Sequence, residues 1–134
     1  MNRIQAQKIV ERIQNIPLYL HAYAFHLNMR MEKILPEGLL DIASEQKLKG
    51  VKVHVLDGES QSLSCADDAR LQKFGEKAHS LGLDVHIETS ASDAETIDTA
   101  VAIALKSGAS SVRFYPRYEG HLAEVLAQVK QDIQ

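Results

Sequence analysis

The chain has 134 residues, of which 45% are hydrophobic and 25% charged, and its formal net charge is −3. This composition is ordinary for a globular domain, and the small negative charge argues against nucleic acid or an anionic membrane as a partner. No apolar run reaches the length of a membrane span, and residues 1–15 lack the apolar core of a signal peptide. The single cysteine, Cys65, excludes an intrachain disulfide, so we expect a cytoplasmic protein.

The chain repeats a strand followed by a helix four times. Apolar runs predict strands at 18–25, 51–57, 83–89 and 111–116, with starts about 28 to 33 residues apart, the length of one βα unit. Segments of helical period predict helices at 36–47, at 67–81, from 92 to about 107, and from about 119 onward. A further helix at about 3–15 precedes the first strand. The predicted order is therefore α-(βα)₄.

Local signals mark the helix boundaries. Ser64 with Asp67, and Ser92 with Glu95, have the spacing of a capping box, and a glycine follows each of these two helices. Pro36 suits the first position of a helix because its missing N–H costs nothing there. The helices are therefore expected to begin and end close to these residues.

The two sides of each predicted strand differ in polarity, because apolar and polar residues alternate. The polar side carries Tyr19, His21, Tyr23, Lys52, His54, Asp84, His86, Glu88, Arg113 and Tyr115. Strand-helix repeats imply a parallel sheet, which is either doubly wound, with helices on both faces, or part of a barrel. Helices on the polar face would bury ionisable groups, whereas a barrel lumen holds water and substrate. The alternation therefore favours the barrel.

We therefore expect an α/β protein with a parallel sheet, built from four consecutive βα units. These units amount to half of a (β/α)₈ TIM barrel and carry an extra N-terminal helix. Residues 1–134 would form one domain, truncated relative to a full eight-unit barrel. A flavodoxin-like sheet of a regulatory or cobalamin-type domain is a third interpretation, which the polar strand sides and the lack of a D-x-H-x-x-G motif disfavour.

Several motifs resemble those of the xylose-isomerase-like barrels. Residues 78–83 (Ala-His-Ser-Leu-Gly-Leu) and 108–113 (Gly-Ala-Ser-Ser-Val-Arg) are similar to the A-x-x-x-G-L and G-A-x-x-V-R transitions of that family. Residues 21–25 and 50–53 are also similar, and the likeness runs from about Leu18 onward. It implies the N-terminal half of a sugar or sugar phosphate isomerase or epimerase.

The resemblance also implies where the chemistry lies. In that family a divalent metal (Mn, Mg, Co or Zn) is bound by a Glu-Asp-His-Glu set from strands five to eight, and none of those positions exists here. We therefore expect no catalytic residue and no cofactor in this chain, and no activity from it alone. It would contribute residues that face a small-molecule sugar or sugar phosphate.

Candidate substrate-binding residues follow or end the predicted strands, where the βα loops of a barrel converge. They are Tyr23, His26, Asp57, Glu59, Glu88, Tyr115 and Arg117. Such side chains hydrogen-bond sugar hydroxyls, and an arginine binds phosphate or carboxylate. The alternative is that several are solvated loop residues.

Three histidines occupy the same local context in successive strands: His21, His54 and His86. Equal register would make them a row in the lumen, forming a polar layer with Arg113. A row is not a tetrahedron, so we interpret this layer as a hydrogen-bonded network and not as a metal site.

A four-stranded half barrel has two open sheet edges, which are templates for pairing with another chain. We therefore expect either a homo-oligomer or association with a missing C-terminal half. The alternative function is a non-catalytic half-barrel binding or assembly module that oligomerises.

Overall fold

A computed structural model describes residues 3–14, 16–55, 61–90, 93–115, 118 and 120–132. Its helices and strands, in chain order, are α1 (Arg3–Gln14), β1 (Tyr19–His21), α2 (His26–Arg30), α3 (Pro36–Glu45), β2 (Gly50–His54), α4 (Asp68–Ser80), β3 (Asp84–Thr89), α5 (Ala94–Ser107), β4 (Ser111–Phe114) and α6 (Leu122–Asp132). Short 3₁₀ turns occupy Ala22–Phe25 and Leu63–Cys65. None of the helices in this described part of the chain has the length and hydrophobicity that a bilayer crossing requires.

The four strands are parallel and lie in chain order, β1-β2-β3-β4. This order is that of a barrel wound in one direction, because a doubly wound sheet reverses its strand order in the middle. The predicted fold class is confirmed. The protein is an α/β protein whose four βα units form half of a (β/α)₈ barrel, with α1 as an extra N-terminal helix.

The core lies between one face of the sheet and the helices α3, α4 and α5. The strands contribute Val51, Val53, Val85 and Ile87, and the helices contribute Leu39, Leu40, Leu71, Phe74, Ala100 and Ile103; each of these side chains is buried. Burying a large apolar side chain of this kind stabilises the fold by about 1.5–3 kcal/mol, before the cost of its lost conformational entropy is subtracted. The apolar sides of the strands therefore hold the helices, and the polar sides face away from them.

The helices α4 and α5 begin within two residues of their predicted starts, but aspartates and not the expected serines are their N-caps. The carboxylate of Asp67 accepts a hydrogen bond from the Arg70 backbone N–H at 2.8 Å, so Asp67 is itself the N-cap of α4. Asp93 caps α5 in the same way through the Thr96 N–H at 2.9 Å, and this hydrogen bond lowers the pKa of Asp93. Ser64 instead lies in the 3₁₀ turn before α4, and Ser92 is outside the described residues.

The predicted first strand is too long. β1 ends at His21, and the chain continues as a 3₁₀ turn and then as the unpredicted helix α2. The ring of His21 accepts a hydrogen bond from the Tyr23 backbone N–H at 3.1 Å, which diverts that N–H from strand pairing and closes the turn. The alternation of apolar residues continues after His21 and therefore predicted a longer strand, but this hydrogen bond ends the strand at His21.

Candidate functional site

Strand pairing arranges the polar face of the sheet in three rows. Backbone register aligns Tyr19 with Gly50 and Asp84 in the first row, His21 with Lys52, His86 and Ser111 in the second, and His54 with Glu88 and Arg113 in the third. The third row lies toward the carboxyl ends of the strands, which is the end at which active sites of barrels are built.

The prediction that the three histidines lie in one row is wrong. His54 lies one row beyond His21 and His86, because β2 begins its pairing with Gly50 opposite both Tyr19 and Asp84. The predicted polar layer of His21, His54, His86 and Arg113 therefore spans two rows. Each histidine is flanked by apolar residues, and this shared local pattern suggested equal register. The register is instead set by the residue at which each strand begins its pairing.

The first row is crossed by a hydrogen bond that passes over the middle strand. The Tyr19 hydroxyl donates to the Asp84 carboxylate at 3.1 Å, with Gly50 between them in the register. Desolvation, together with this hydrogen bond and the charge of Asp84, raises the pKa of Tyr19 above its usual value. Lys49 lies 3.5 Å from the same carboxylate. Asp84 is therefore paired within the protein.

The second row is built on aromatic and hydroxyl contacts. The His86 Nδ1 is 2.6 Å from the Ser111 hydroxyl, and the His86 ring meets the edge of the Tyr19 ring with centroids 4.9 Å apart. The Lys52 ammonium lies 5.9 Å from the centroid of Tyr19. These contacts hold the side chains of the row in position.

The third row contains a buried acid. Glu88 is 0% exposed, although it lies on the polar face of the sheet. One of its oxygens is 2.7 Å from His21 Nε2 and the other is 3.0 Å from an Arg113 terminal nitrogen. Both contacts lie off the line of a hydrogen bond, so within the described residues neither oxygen has a well-directed donor. Burying a carboxylate is costly unless it is paired, and a site of this kind calls for an explanation.

The proton position on His21 follows from its two contacts. Its Nδ1 accepts from the Tyr23 backbone N–H, so in the neutral ring the proton is on Nε2, which faces Glu88. His21 thus presents an N–H to the carboxylate while its other nitrogen closes the turn after β1. The turn and the acid are coupled through one ring.

Arg113 is held from two directions. One terminal nitrogen faces Glu88, and the guanidinium carbon lies 4.5 Å from the centroid of the Tyr115 ring. Its side chain remains 46% exposed. A guanidinium fixed by a carboxylate and an aromatic ring, yet open to solvent, has further N–H donors to offer a ligand.

The other predicted binding residues have different outcomes. Tyr23 and His26 follow β1 as expected, with their rings stacked at 4.8 Å and the His26 Nδ1 2.9 Å from the Tyr23 carbonyl oxygen. Tyr115 directly follows β4. Glu88 lies inside β3 instead of on its rim. Asp57, Glu59 and Arg117 lie outside the described residues, and whether any of these side chains binds substrate stays a prediction.

A divalent metal does not fit this cluster by itself. The two oxygens of Glu88 face His21 and Arg113, and a metal ion at this carboxylate would have to displace the guanidinium, which is also positively charged. Among the residues that the structure describes, no three His, Cys, Asp or Glu side chains are grouped so as to hold a metal ion. Ligands for a metal would have to come from outside this set.

The contact among His21, Glu88 and Arg113 was not anticipated. The sequence predicts Glu88 as a substrate-binding residue, and His21 and Arg113 as members of a separate polar layer. The available signal is that residues of opposite charge occupy the polar sides of adjacent strands, Glu88 on β3 and Arg113 on β4. The long reach of His21 from β1 has no comparable signal in the sequence.

The fold and this cluster together define a class: a half barrel of four parallel βα units whose polar strand face holds a buried, paired carboxylate. The chain is similar to the "Uncharacterized protein YihM" of Escherichia coli (strain K12), with 66% identity over 128 residues. The aligned region is 96% of this chain and 39% of YihM, so the chain spans about two fifths of the length of this curated relative. No family model matches the chain.

Proposed function

We propose that this chain is the substrate-facing N-terminal half of a sugar or sugar phosphate isomerase or epimerase that works in the cytoplasm. The observation that supports the proposal is the buried Glu88, held by His21 and Arg113 on the open polar face of a half barrel. A structural core has little use for an ion pair at this place, because apolar residues would be at least as stabilising. Binding of a polar ligand would explain why an ion pair lies here.

The residues of this face have separate tasks in the proposed reaction. Tyr23, His26 and Tyr115 lie at the carboxyl ends of the strands, where they would hydrogen-bond sugar hydroxyls. Glu88 holds Arg113 in place, so that the remaining donors of Arg113 meet the substrate in one orientation, and His21 contacts Glu88 from the side of β1.

The proton transfer itself needs groups from beyond this chain. A divalent metal (Mn, Mg, Co or Zn), bound by residues of the other half, would supply stabilisation of the negative charge that develops on the sugar oxygen. A carboxylate of that half would move the proton next to the carbonyl. This chain alone is therefore expected to bind sugars without converting them.

The reaction is tested in a chimera, made by replacing the 128 matching residues of YihM with this chain. In D₂O, pentoses, hexoses and their phosphates are expected to incorporate deuterium next to the carbonyl, and a chelator should stop the exchange. Glu88→Gln should slow the exchange at least about tenfold, because the negative charge that holds Arg113 and His21 in place is lost. The matched control, Lys73→Met, changes an exposed residue of α4 and should leave the rate unchanged. Absence of exchange with every sugar and metal would contradict the proposal.

A non-catalytic assembly module is the second candidate. The observation in its favour is the exposed aromatic surface at the open edge of β4, where Phe114 is 42% and Tyr115 38% exposed. A chain that forms a stable oligomer of defined size, and binds none of the sugars, would support this function over the enzyme.

A further inference from the structure

We infer that Arg113 is the centre of an oxyanion-binding site, which takes the phosphate or carboxylate group of an anionic sugar derivative. The assignment of the anion to a sugar rests on the proposed function, whereas anion binding itself depends only on this chain. The site lies at the end of β4, where the guanidinium is bracketed by Glu88 and Tyr115.

The geometry of Arg113 suits an oxyanion because the guanidinium is already fixed in place. Glu88 faces one terminal nitrogen at 3.0 Å, and Tyr115 covers one side of the planar group at 4.5 Å. Ordering a free arginine costs side-chain entropy on binding, and a held one has lost much of that freedom beforehand. Its remaining N–H groups form a fork that matches two oxygens of a phosphate or carboxylate.

The charges on the polar face favour an anion, although the whole chain has a net charge of −3. Among the described residues of the three rows, the cations are Lys52 and Arg113, and the acids are Glu88 and Asp84. Asp84 is already paired with Lys49 and accepts from Tyr19. The histidines of the face add no negative charge in either protonation state. One buried carboxylate therefore stands against two cations, which leaves the face locally positive.

The test is a titration of the chain with inorganic phosphate, followed by the NMR signal of the Arg113 side-chain Nε–H and by calorimetry. We expect saturable binding, and Arg113→Met should weaken it about tenfold or more, the loss of one charge-assisted contact. Arg113→Lys, which keeps the charge but lacks the fork, should also bind more weakly. Lys73→Met removes the same charge from the helical side of the sheet and should change the affinity less than about twofold, because screening weakens a distant exposed charge.

Loss of Arg113 leaves the carboxylate of Glu88 buried beside His21, so Arg113→Met could weaken binding merely by unfolding. The double variant Arg113→Met/Glu88→Gln removes both charges and should recover stability in urea without recovering phosphate binding. Recovery of both would overturn the inference. Glu88→Gln alone keeps the guanidinium fork of Arg113 but loses the carboxylate that holds it, so this variant should still bind phosphate saturably; no detectable binding by this folded variant would also overturn the inference.

The ligand arms distinguish this inference from the proposed function. Ribose 5-phosphate should bind more tightly than ribose, and acetate in place of phosphate shows whether the site also takes carboxylates. If ribose binds as well as its phosphate, and Arg113→Met affects neither, the anion site is refuted while the isomerase proposal stands. If phosphate binds through Arg113 but the chimera shows no deuterium exchange, the isomerase proposal fails and the anion site remains.

Discussion

At the scale of single residues, the helical side of the protein is tied together by an ion pair between α3 and α4. The Arg70 guanidinium donates to both carboxylate oxygens of Glu37, at 2.7 and 3.1 Å, and also to the Gln61 carbonyl oxygen at 3.0 Å. Desolvation acts to raise the pKa of Glu37. The hydrogen bonds from Arg70 and from its own backbone N–H, with the charges of Arg70 and Lys77, outweigh it and lower that pKa. The bidentate, half-buried geometry makes this a stabilising pair.

Glu37→Gln is expected to reduce the pH dependence of stability in acid. A carboxylate whose pKa is lowered by folding stabilises the protein above its unfolded value of 4.5, and this contribution is lost as the pH falls through the folded value. The variant should be about 1–2 kcal/mol less stable than wild type at pH 7, with the difference shrinking below pH 4.5. Urea unfolding at several pH values measures this. The control Glu45→Gln, at an exposed position of α3, should follow the wild-type profile, and an equal effect of the two variants would contradict the assignment.

At the scale of elements, α4 and α5 touch along their backbones. A Cβ at Gly75 would lie 2.2 Å from the Ser107 carbonyl oxygen, so only glycine permits this approach. Ser107 is buried there, and its hydroxyl donates a hydrogen bond to the Ile103 carbonyl oxygen at 2.8 Å. The close contact packs both helices against β3, the strand that carries Glu88.

Gly75→Ala is expected to destabilise the protein by about 1–3 kcal/mol, because the helices must separate to admit the methyl group. This cost exceeds the helix propensity that alanine gains, about 1 kcal/mol. Gly38→Ala in α3 is the matched control, since its added Cβ would meet the Ile34 side chain at an ordinary 3.5 Å. The control should be neutral or stabilising by up to about 1 kcal/mol. Thermal unfolding of the two variants makes the comparison, and equal stability would refute the close-approach argument.

At the scale of the whole molecule, the sheet has two open edges. Within the described residues β1 pairs only with β2, and β4 pairs only with β3. Large hydrophobic side chains lie exposed at both edges: Leu18 directly before β1, and Phe114 and Tyr115 at the end of β4. Unpaired backbone beside apolar surface is a template for association, and a closed barrel removes it. The half barrel is therefore expected to associate, with a second copy or with the rest of a barrel.

Phe114→Lys is expected to lower the tendency of the isolated chain to associate. The substitution places a charge on the open edge of β4, where Phe114 is 42% exposed. Light scattering at low micromolar concentration should show an oligomer for the wild type and a larger monomer fraction for the variant. Leu81→Lys, at a position that is 37% exposed at the end of α4, is the control. A monomeric wild type would count against the prediction.

Most of the fold was predictable, because it depends on patterns that lie close together in the sequence. Alternation of apolar and polar residues located β2, β3 and β4, and helical periodicity located α3, α4 and α5. The errors arise where a side chain forms a hydrogen bond with a nearby backbone N–H, because periodicity does not indicate such bonds. The His21 ring takes the Tyr23 N–H and ends β1, and Asp67 and Asp93 cap their helices in place of the expected serines.

The sequence by itself determined which residues lie on each side of the strands, since alternation along a strand is a property of the backbone. It therefore indicated that Glu88, His21 and Arg113 share the polar face. Only the tertiary structure decided that these three meet, that His54 lies a row further on, and that Glu88 is buried. The physical reason is that register and the reach of side chains across strands arise from how separate segments pair, and no single segment carries that information.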